Sequence, residues 1–406
     1  MRRKKRLLLL VTVSLLILLV LWIIFARNPV GVRYEIMDLG TLAGHSSSAN
    51  ALNDRGQVVG MSQTEKGEMY AFIWDATQGM RQITKDGPYA TFARDINNKG
   101  QAIGYEDLNM PHQARPGSRR DYFSERRERG FLWTESGGEK TLEYPDCESV
   151  SPSRINNEGQ ITGRCWKDPR NQFVVVWDAS GEAIDFGTLV EGIRYAPLLN
   201  NHGVFAGFRR TQGEPESPGS RESVPFVLEG KQLLEIQQPE PTIHINSVLD
   251  INDRNQVLFS ASTAKATRRE RLFIWTSGEG FADLDTPALT HVFVRRFNDR
   301  GQVVGSSGPY LPSEILEMIG IRWEWTSNFL ERAFREPEPE AVVWVEGKIH
   351  DLSDLVPKDN GWERLETAAD INNRGQIVGN GKIGGEQHAF LLTPIESSKT
   401  GTNHPD

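Results

Sequence analysis

One nine-residue pattern returns seven times and limits this chain to a repeat architecture. Its clearest copies are Leu52-Asn53-Asp54-Arg55-Gly56-Gln57-Val58-Val59-Gly60 and Ile371-Asn372-Asn373-Arg374-Gly375-Gln376-Ile377-Val378-Gly379, and it recurs around Asn97, Asn156, Asn200, Asn252 and Asn298. Each copy runs from an apolar residue through Asn, then Asn or Asp, a variable residue, and usually Gly and Gln, into a short apolar run. Asn and Asp bond their own backbone nearby, and Gly supplies the positive φ that closes a hairpin with a bulge. The pattern therefore predicts structural turns at Asn53 with Gly56, Asn97 with Gly100, Asn156 with Gly159, Asn200 with Gly203, Asn252 with Asn255, Asn298 with Gly301 and Asn372 with Gly375. The fifth copy replaces Gly by Asn255, the residue that best tolerates the left-handed region after Gly.

Each turn joins two strands, and two more follow. A third strand recurs as Ala71 to Trp74, Gly130 to Trp133, Val174 to Trp177, Pro225 to Leu228, Leu272 to Trp275, Ala341 to Trp344 and His388 to Leu392. A fourth recurs at Met80 to Thr84, Lys140 to Tyr144, Ala183 to Phe186, Gln232 to Ile236, Phe281 to Asp285 and Lys348 to Leu352. The seventh unit lacks a fourth strand, whereas Tyr34 to Leu39 alternates as a spare strand at the start. Seven four-stranded units predict an all-β, seven-bladed β-propeller over residues 34–392, with the N-terminal strand closing the last blade. A solenoid would not explain a spare strand at one end and a missing one at the other.

The combination of Asp38-Leu39-Gly40-Thr41-Leu42, the Ile/Leu-Asn-x-x-Gly-Gln-x-x-Gly repeat and His388-Ala389-Phe390-Leu391 resembles the HAF-repeat family of predicted extracellular bacterial proteins. The resemblance covers residues 34–392. It departs at Tyr70-Ala71-Phe72 in the first unit, at Val204 in place of Gln in the fourth, and at Phe259 in place of the final Gly in the fifth. It implies an exported repeat protein and carries over no activity or site residues.

Location follows from the N-terminus. Residues 1–6 are basic, and Leu7 to Phe25 holds 16 Leu, Ile, Val or Phe among 19 residues. At ~1.5 Å per residue such a helix spans about 28 Å, close to the ~30 Å hydrocarbon core. Residues 7–26 are expected to be one transmembrane signal anchor with the basic end in the cytoplasm. The run is longer than a cleaved signal peptide's apolar region and ends without an Ala-x-Ala site. Residues 27–33 form a linker, the propeller lies in the periplasm or cell exterior, and residues 393–406 read as a disordered tail. Without the five basic N-terminal residues, 41 Lys plus Arg face 54 Asp plus Glu, a balance of −13. That acidity excludes a nucleic-acid footprint. Cys147 and Cys165 flank the third hairpin, where reflection about its turn puts Cys165 nearer Val150. A disulfide and two free buried thiols are both compatible with that spacing.

No phosphate loop, nucleophile elbow or metal-ligand spacing occurs, so neither a cofactor nor a metal is expected. A calcium loop at Asp95-Ile96-Asn97-Asn98-Lys99-Gly100 fails at its fifth position, where Lys99 stands for an oxygen ligand. Trp74, Trp133, Trp177, Trp275 and Trp344 share one position of the third strand and read as packing between blades. The long insertions, 105–129, 208–224 and 306–340, all join second to third strands and so lie on one face. Trp166, Trp323, Trp325 and Trp362 map to that face, and aromatic residues on loops of a rigid scaffold are candidate ligand-binding anchors for an extracytoplasmic protein or glycan. The rival expectation is a hydrolase or lyase acting on surface carbohydrate, which needs paired carboxylates, with Asp250, Asp283, Asp354 and Asp370 as candidates. A structural module without ligand is the third.

Overall fold

The computed structural model describes residues 32–111, 127–168, 171–184, 193, 197–210, 223–240, 243–263, 270–284, 290–309 and 338–395. The expected cytoplasmic segment, the anchor at residues 7–26, most of the linker and residues 396–406 lie outside them. Among the described residues, no helix is long and apolar enough to cross a membrane.

Seven four-stranded antiparallel sheets form the propeller. After β1 (Arg33–Asp38), blade one comprises β2 to β5 (Ala43–Leu52, Val58–Thr64, Met69–Asp75, Gly79–Gln82). Blade two comprises β6 to β9 (Tyr89–Ile96, Ala102–Pro111, Glu128–Thr134, Gly138–Thr141), and blade three β10 to β13 (Ser149–Ile155, Ile161–Asp168, Asn171–Trp177, Ala183–Ile184). Blade four comprises β14 to β17 (Leu198–Leu199, Val204–Arg210, Ser223–Glu229, Gln232–Glu235), and blade five β18 to β21 (Ile243–Ile251, Val257–Thr263, Glu270–Thr276, Gly280–Asp283). Blade six comprises β22 to β25 (Thr290–Phe297, Val303–Pro309, Glu340–Val345, Lys348–Asp351), and blade seven β26 to β28 (Trp362–Ile371, Ile377–Ile383, Glu386–Ile395). The first strand of each blade is innermost. β1 adds to the outer edge of β28, in the order β1-β28-β27-β26, so the first strand of the chain completes the last blade. Leu39 N donates to Ala389 O at 3.0 Å, and Tyr34 is fully buried.

Two boundaries differ from the sequence expectation. β28 continues to Ile395, so the tail starts later than residue 393. The long insertions begin as strand rather than loop, because the ladder continues through Tyr105↔Gly130 to Asp107↔Glu128 and through Phe208↔Pro225 to Arg210↔Ser223. Backbone pairing does not need apolar side chains at the solvent end of a strand.

The expected turns form at all seven copies. The N–H of Gly56, Gly100, Gly159, Gly203, Gly301 and Gly375 donates to the carbonyl of the Asn three residues earlier at 2.9 to 3.2 Å, and Asn255 does the same in blade five. The six glycines take φ between 74° and 87°, and Asn255 takes 56°.

Six innermost strands carry a β-bulge near their turn, as between Ala49 and Ala51, Ala93 and Asp95, Pro152 and Arg154, and Val294 and Arg296. A bulge bends its strand and re-aims the next side chain. Opposite it stands the final Gly of the repeat in five of the six, and Phe259 in blade five. A Cβ on Gly60, Gly104 or Gly379 would meet the carbonyl of Ser48, Phe92 or Thr367 at 2.0 to 2.1 Å, so side chains are excluded there.

Candidate functional site in the central channel

The turns bind the ring together as well as closing hairpins. Within each turn the Asn side-chain oxygen accepts from backbone N–H groups two and four residues on, as Asn53 Oδ1 does from Arg55 and Gln57, both at 3.0 Å. Its Nδ2 then reaches the next blade. Asn53 donates to Asn97 O at 2.9 Å, Asn97 to Asn156 O, Asn156 to Asn200 O, Asn200 to Asn252 O, Asn252 to Asn298 O and Asn298 to Asn372 O. Asn372 completes the circle by donating to Asn53 O at 3.0 Å.

A second circle uses the residue after each Asn. The Asp54 N–H donates to Asn98 Oδ1, Asn98 to Asn157, Asn157 to Asn201, Asn201 to Asp253, Asp253 to Asp299, Asp299 to Asn373 and Asn373 to Asp54, all at 2.7 to 3.0 Å. Asn and Asp place an acceptor oxygen at the same reach, which fits the second position being Asn or Asp in all seven copies.

The turn glycines take a different part from the Asn residues they were grouped with. The channel is lined by the leading Asn of most turns and by the Asn or Asp after it, whereas Gly56, Gly100, Gly159, Gly203, Gly301 and Gly375 do not line it. Four of them instead lie beneath a Gln side chain of the preceding blade: Gly100 under Gln57, Gly159 under Gln101, Gly203 under Gln160 and Gly56 under Gln376. Gly301 is open, with nothing within 4 Å of where a Cβ would stand. The glycines are therefore backbone residues of the belt and contribute nothing to the channel surface.

Above the belt, the residue two before each Asn is Ala51, Asp95, Arg154, Leu198, Asp250, Arg296 and Asp370 in blade order. Five of the seven are charged, and they line one pocket of about 150 Å³ in the channel. Arg296 holds the three carboxylates together, with Nη2 at 3.0 Å from Asp95, Nη1 at 3.7 Å from Asp250 and Nε at 3.6 Å from Asp370. The other oxygen of each carboxylate accepts a backbone N–H from the following blade: Asp95 from Ile155, Asp250 from Phe297 and Asp370 from Leu52, each at 3.0 Å. Arg154 completes the group; its Nη1 donates to Ser153 O at 3.2 Å, while its buried Nε finds no partner.

Three carboxylates against two guanidiniums leave one surplus negative charge in a site that water barely reaches. Burial pushes Asp370 up to about 6 against the pull of Arg296, and burial also raises Asp250. Burial and then the neighbouring Arg296 lower Arg154. For Arg296 burial acts downward too, but Asp95, Asp370 and Asp250 outweigh it and hold its guanidinium above the ordinary range.

Of the four candidate carboxylates, Asp250 and Asp370 thus meet in the channel and the other two do not. Asp283 pairs with Arg271 in the outermost strand of blade five, and Asp354 sits in a short 3-10 turn with Lys358. Asp95, Arg154 and Arg296 were missed. Reading the seven repeat copies as one column would have exposed them, since charge at an inward position of an innermost strand has no packing explanation.

The candidate ligand-binding Trp residues separate. Trp323 and Trp325 lie outside the described residues, as do most of the insertions. Trp166 is on β11 in blade three, with the Arg164 guanidinium 5.0 Å above its ring. Trp362 begins β26 in blade seven and packs edge-on against Phe390 at 5.6 Å, over the space kept open by Gly381. Blades three and seven are not neighbours. Cys147 and Cys165 are joined as a disulfide, with Cα atoms 5.7 Å apart and Val150 opposite Cys165.

Solved structures with similar backbones include a β-propeller domain. The propeller domain of the trilobed protease from Pyrococcus furiosus is 9% identical with a TM-score of 0.49, over 87% of this chain and 94% of that one. An oligogalacturonate lyase in complex with manganese is 11% identical at TM-score 0.48, over 90% and 97%. The acylaminoacyl peptidase of Pyrococcus horikoshii is 9% identical at 0.48, over 86% of this chain and 52% of that one. No family model and no curated protein matches by sequence. At these identities the likeness concerns the fold alone.

Proposed function

We propose that the protein is a membrane-anchored, extracytoplasmic propeller that binds or scaffolds a protein or glycan, and that its channel charges are structural rather than catalytic. The observation that carries this reading is the commitment of all three channel carboxylates. Each spends one oxygen on a backbone N–H of the next blade and turns the other toward Arg296. A general acid or base needs a carboxylate that can reach the substrate's proton within hydrogen-bond distance. A pocket of about 150 Å³ also falls short of the roughly 300–1,000 Å³ usual for small-molecule sites.

Export is supported by the disulfide, a bond that persists in oxidising compartments, and by the apolar run at residues 7–25. The surface available for recognition is then the exterior of the ring. Incubating the chain with surface polysaccharides and measuring released sugar tests the reading: no turnover is expected. Sustained turnover abolished by Asp370→Asn would overturn it.

A further inference from the structure

Five blades carry Trp at the same position of the third strand, and four of these rings are buried against the preceding blade: Trp74, Trp133, Trp177 and Trp344. Trp177 is also fixed through its indole N–H, which donates to Glu143 O at 2.9 Å. Trp275 of blade five is only partly buried. Beside it, between the outer parts of blades four and five, lies an open cleft of about 600 Å³, within the size range of ligand sites.

Blade five also departs from the repeat in its sequence. Six blades end the repeat with Gly, under the ring or branched side chain of the third strand, whereas blade five places Phe259 there, opposite Phe273. Three rings then share the space: Phe259 lies 5.7 Å from Phe281, and Phe281 stands edge-on to Phe273 at 6.1 Å. Phe259 is fully buried beneath the cleft's wall, and Phe273, Phe281 and Trp275, with Ile236 and Ile243, make an apolar floor. The rim is acidic, carrying Glu235, Glu240 and Asp283.

The cleft already accommodates one cation from its own chain. The Arg271 guanidinium sits 4.9 Å above the Phe273 ring and pairs with Asp283. A cation over an aromatic face is attracted by the ring's quadrupole, more strongly as water is excluded. Farther along, Trp275 and Phe281 have no such partner among the described residues, Glu235 meets only Arg209 at 3.8 Å, and Glu240 has no ion-pair partner there.

We infer that this cleft binds a basic peptide segment, seating a Lys or Arg side chain on Trp275 and Phe281 between Glu235 and Glu240, with an adjacent apolar side chain against Ile236. The inference rests on the binding-module reading above and specifies the chemistry of one partner.

The test is calorimetric titration of the full chain in micelles with the peptide acetyl-Leu-Arg-Leu-Arg-Leu-amide, its Glu counterpart and chitotetraose. Saturable binding of the Arg peptide alone is expected, weakened at least fivefold by Glu235→Gln with Glu240→Gln, and likewise by Trp275→Leu, in proteins whose melting curves remain cooperative. Absence of saturable binding, or binding that these variants leave unchanged, overturns the inference. Chitotetraose binding lost in Trp275→Leu would also overturn it while leaving the binding-module reading in place.

Discussion

Asn255 of blade five accepts a 2.7 Å hydrogen bond at Oδ1 from Asn200 Nδ2 of blade four, and so takes over a duty that Gln performs elsewhere. In the other six blades the Asn side chain donates to the Gln four residues on, at 2.8 to 3.0 Å. In four of those blades the same Gln lies over the Gly of the next turn, as Gln57 lies over Gly100 and Gln160 over Gly203. Blade four has Val204 instead of Gln, and the next turn has Asn255 instead of Gly. The two departures compensate each other.

Asn255→Gly therefore leaves a buried donor unpaired, at about 1–3 kcal/mol, partly offset by relief of the left-handed residue. Val204→Gln forces an amide into space held by Asn255. The double variant recreates the arrangement of the other six blades and should cost at least about 1 kcal/mol less than the sum of the singles. Denaturant unfolding of the four proteins reads the coupling, and additivity within about 0.5 kcal/mol would refute compensation.

Asp370 makes stability depend on pH in an unusual direction. Its folded pKa, about 6, lies above its ordinary value of 3.8, so its contribution is fully present below pH 3.8 and is lost as pH rises through 6. Asn at this position can still accept from Leu52 and leaves two carboxylates facing two guanidiniums. The difference in unfolding free energy between Asp370→Asn and the parent should grow in the variant's favour from pH 4 to pH 7.5, by about 1–3 kcal/mol. A difference that stays flat, or that grows in the parent's favour, contradicts the surplus-charge account.

Removing Arg296 should do the opposite. Arg296→Met strands three buried carboxylates, at a cost of about 3–5 kcal/mol near neutral pH, and the penalty should shrink at pH 4.5 as Asp370 protonates. Thermal melts at the two pH values check this. A loss independent of pH would point to packing alone.

The closing strand has its own test. Without Tyr34 to Leu39, blade seven loses its outer strand and the fully buried Tyr34. Tyr34→Ala alone should cost about 3–5 kcal/mol by analogy with other buried aromatic truncations. An unchanged denaturation midpoint would mean that the ring closes without this strand.

The fold was legible because its signals are local and repeated. A Gly or Asn at the turn, alternating strands and a spare first strand each speak through a few neighbouring residues. The belt was not, because Asn372 finds its acceptor on Asn53, 319 residues away, and turn chemistry alone is a sufficient reason for an Asn there. What remained unexplained was the second Asn or Asp, and that residue forms the other circle. The hub was half legible: Asp250 and Asp370 stood out as acids, but the Arg296 that joins them belongs to a blade between theirs. Trp362 read as a loop residue, whereas its strand starts earlier and buries one face of the ring on Phe390.

The belt itself is most directly tested by residue-resolved hydrogen exchange. The amides of Asp54, Asn98, Asn157, Asn201, Asp253, Asp299 and Asn373 sit in turns, where open loops exchange rapidly. If they donate around a closed ring, all seven should exchange as slowly as core strand amides such as Val59 and Val378. Rapid exchange at these seven positions beside protected strands would contradict the closed belt.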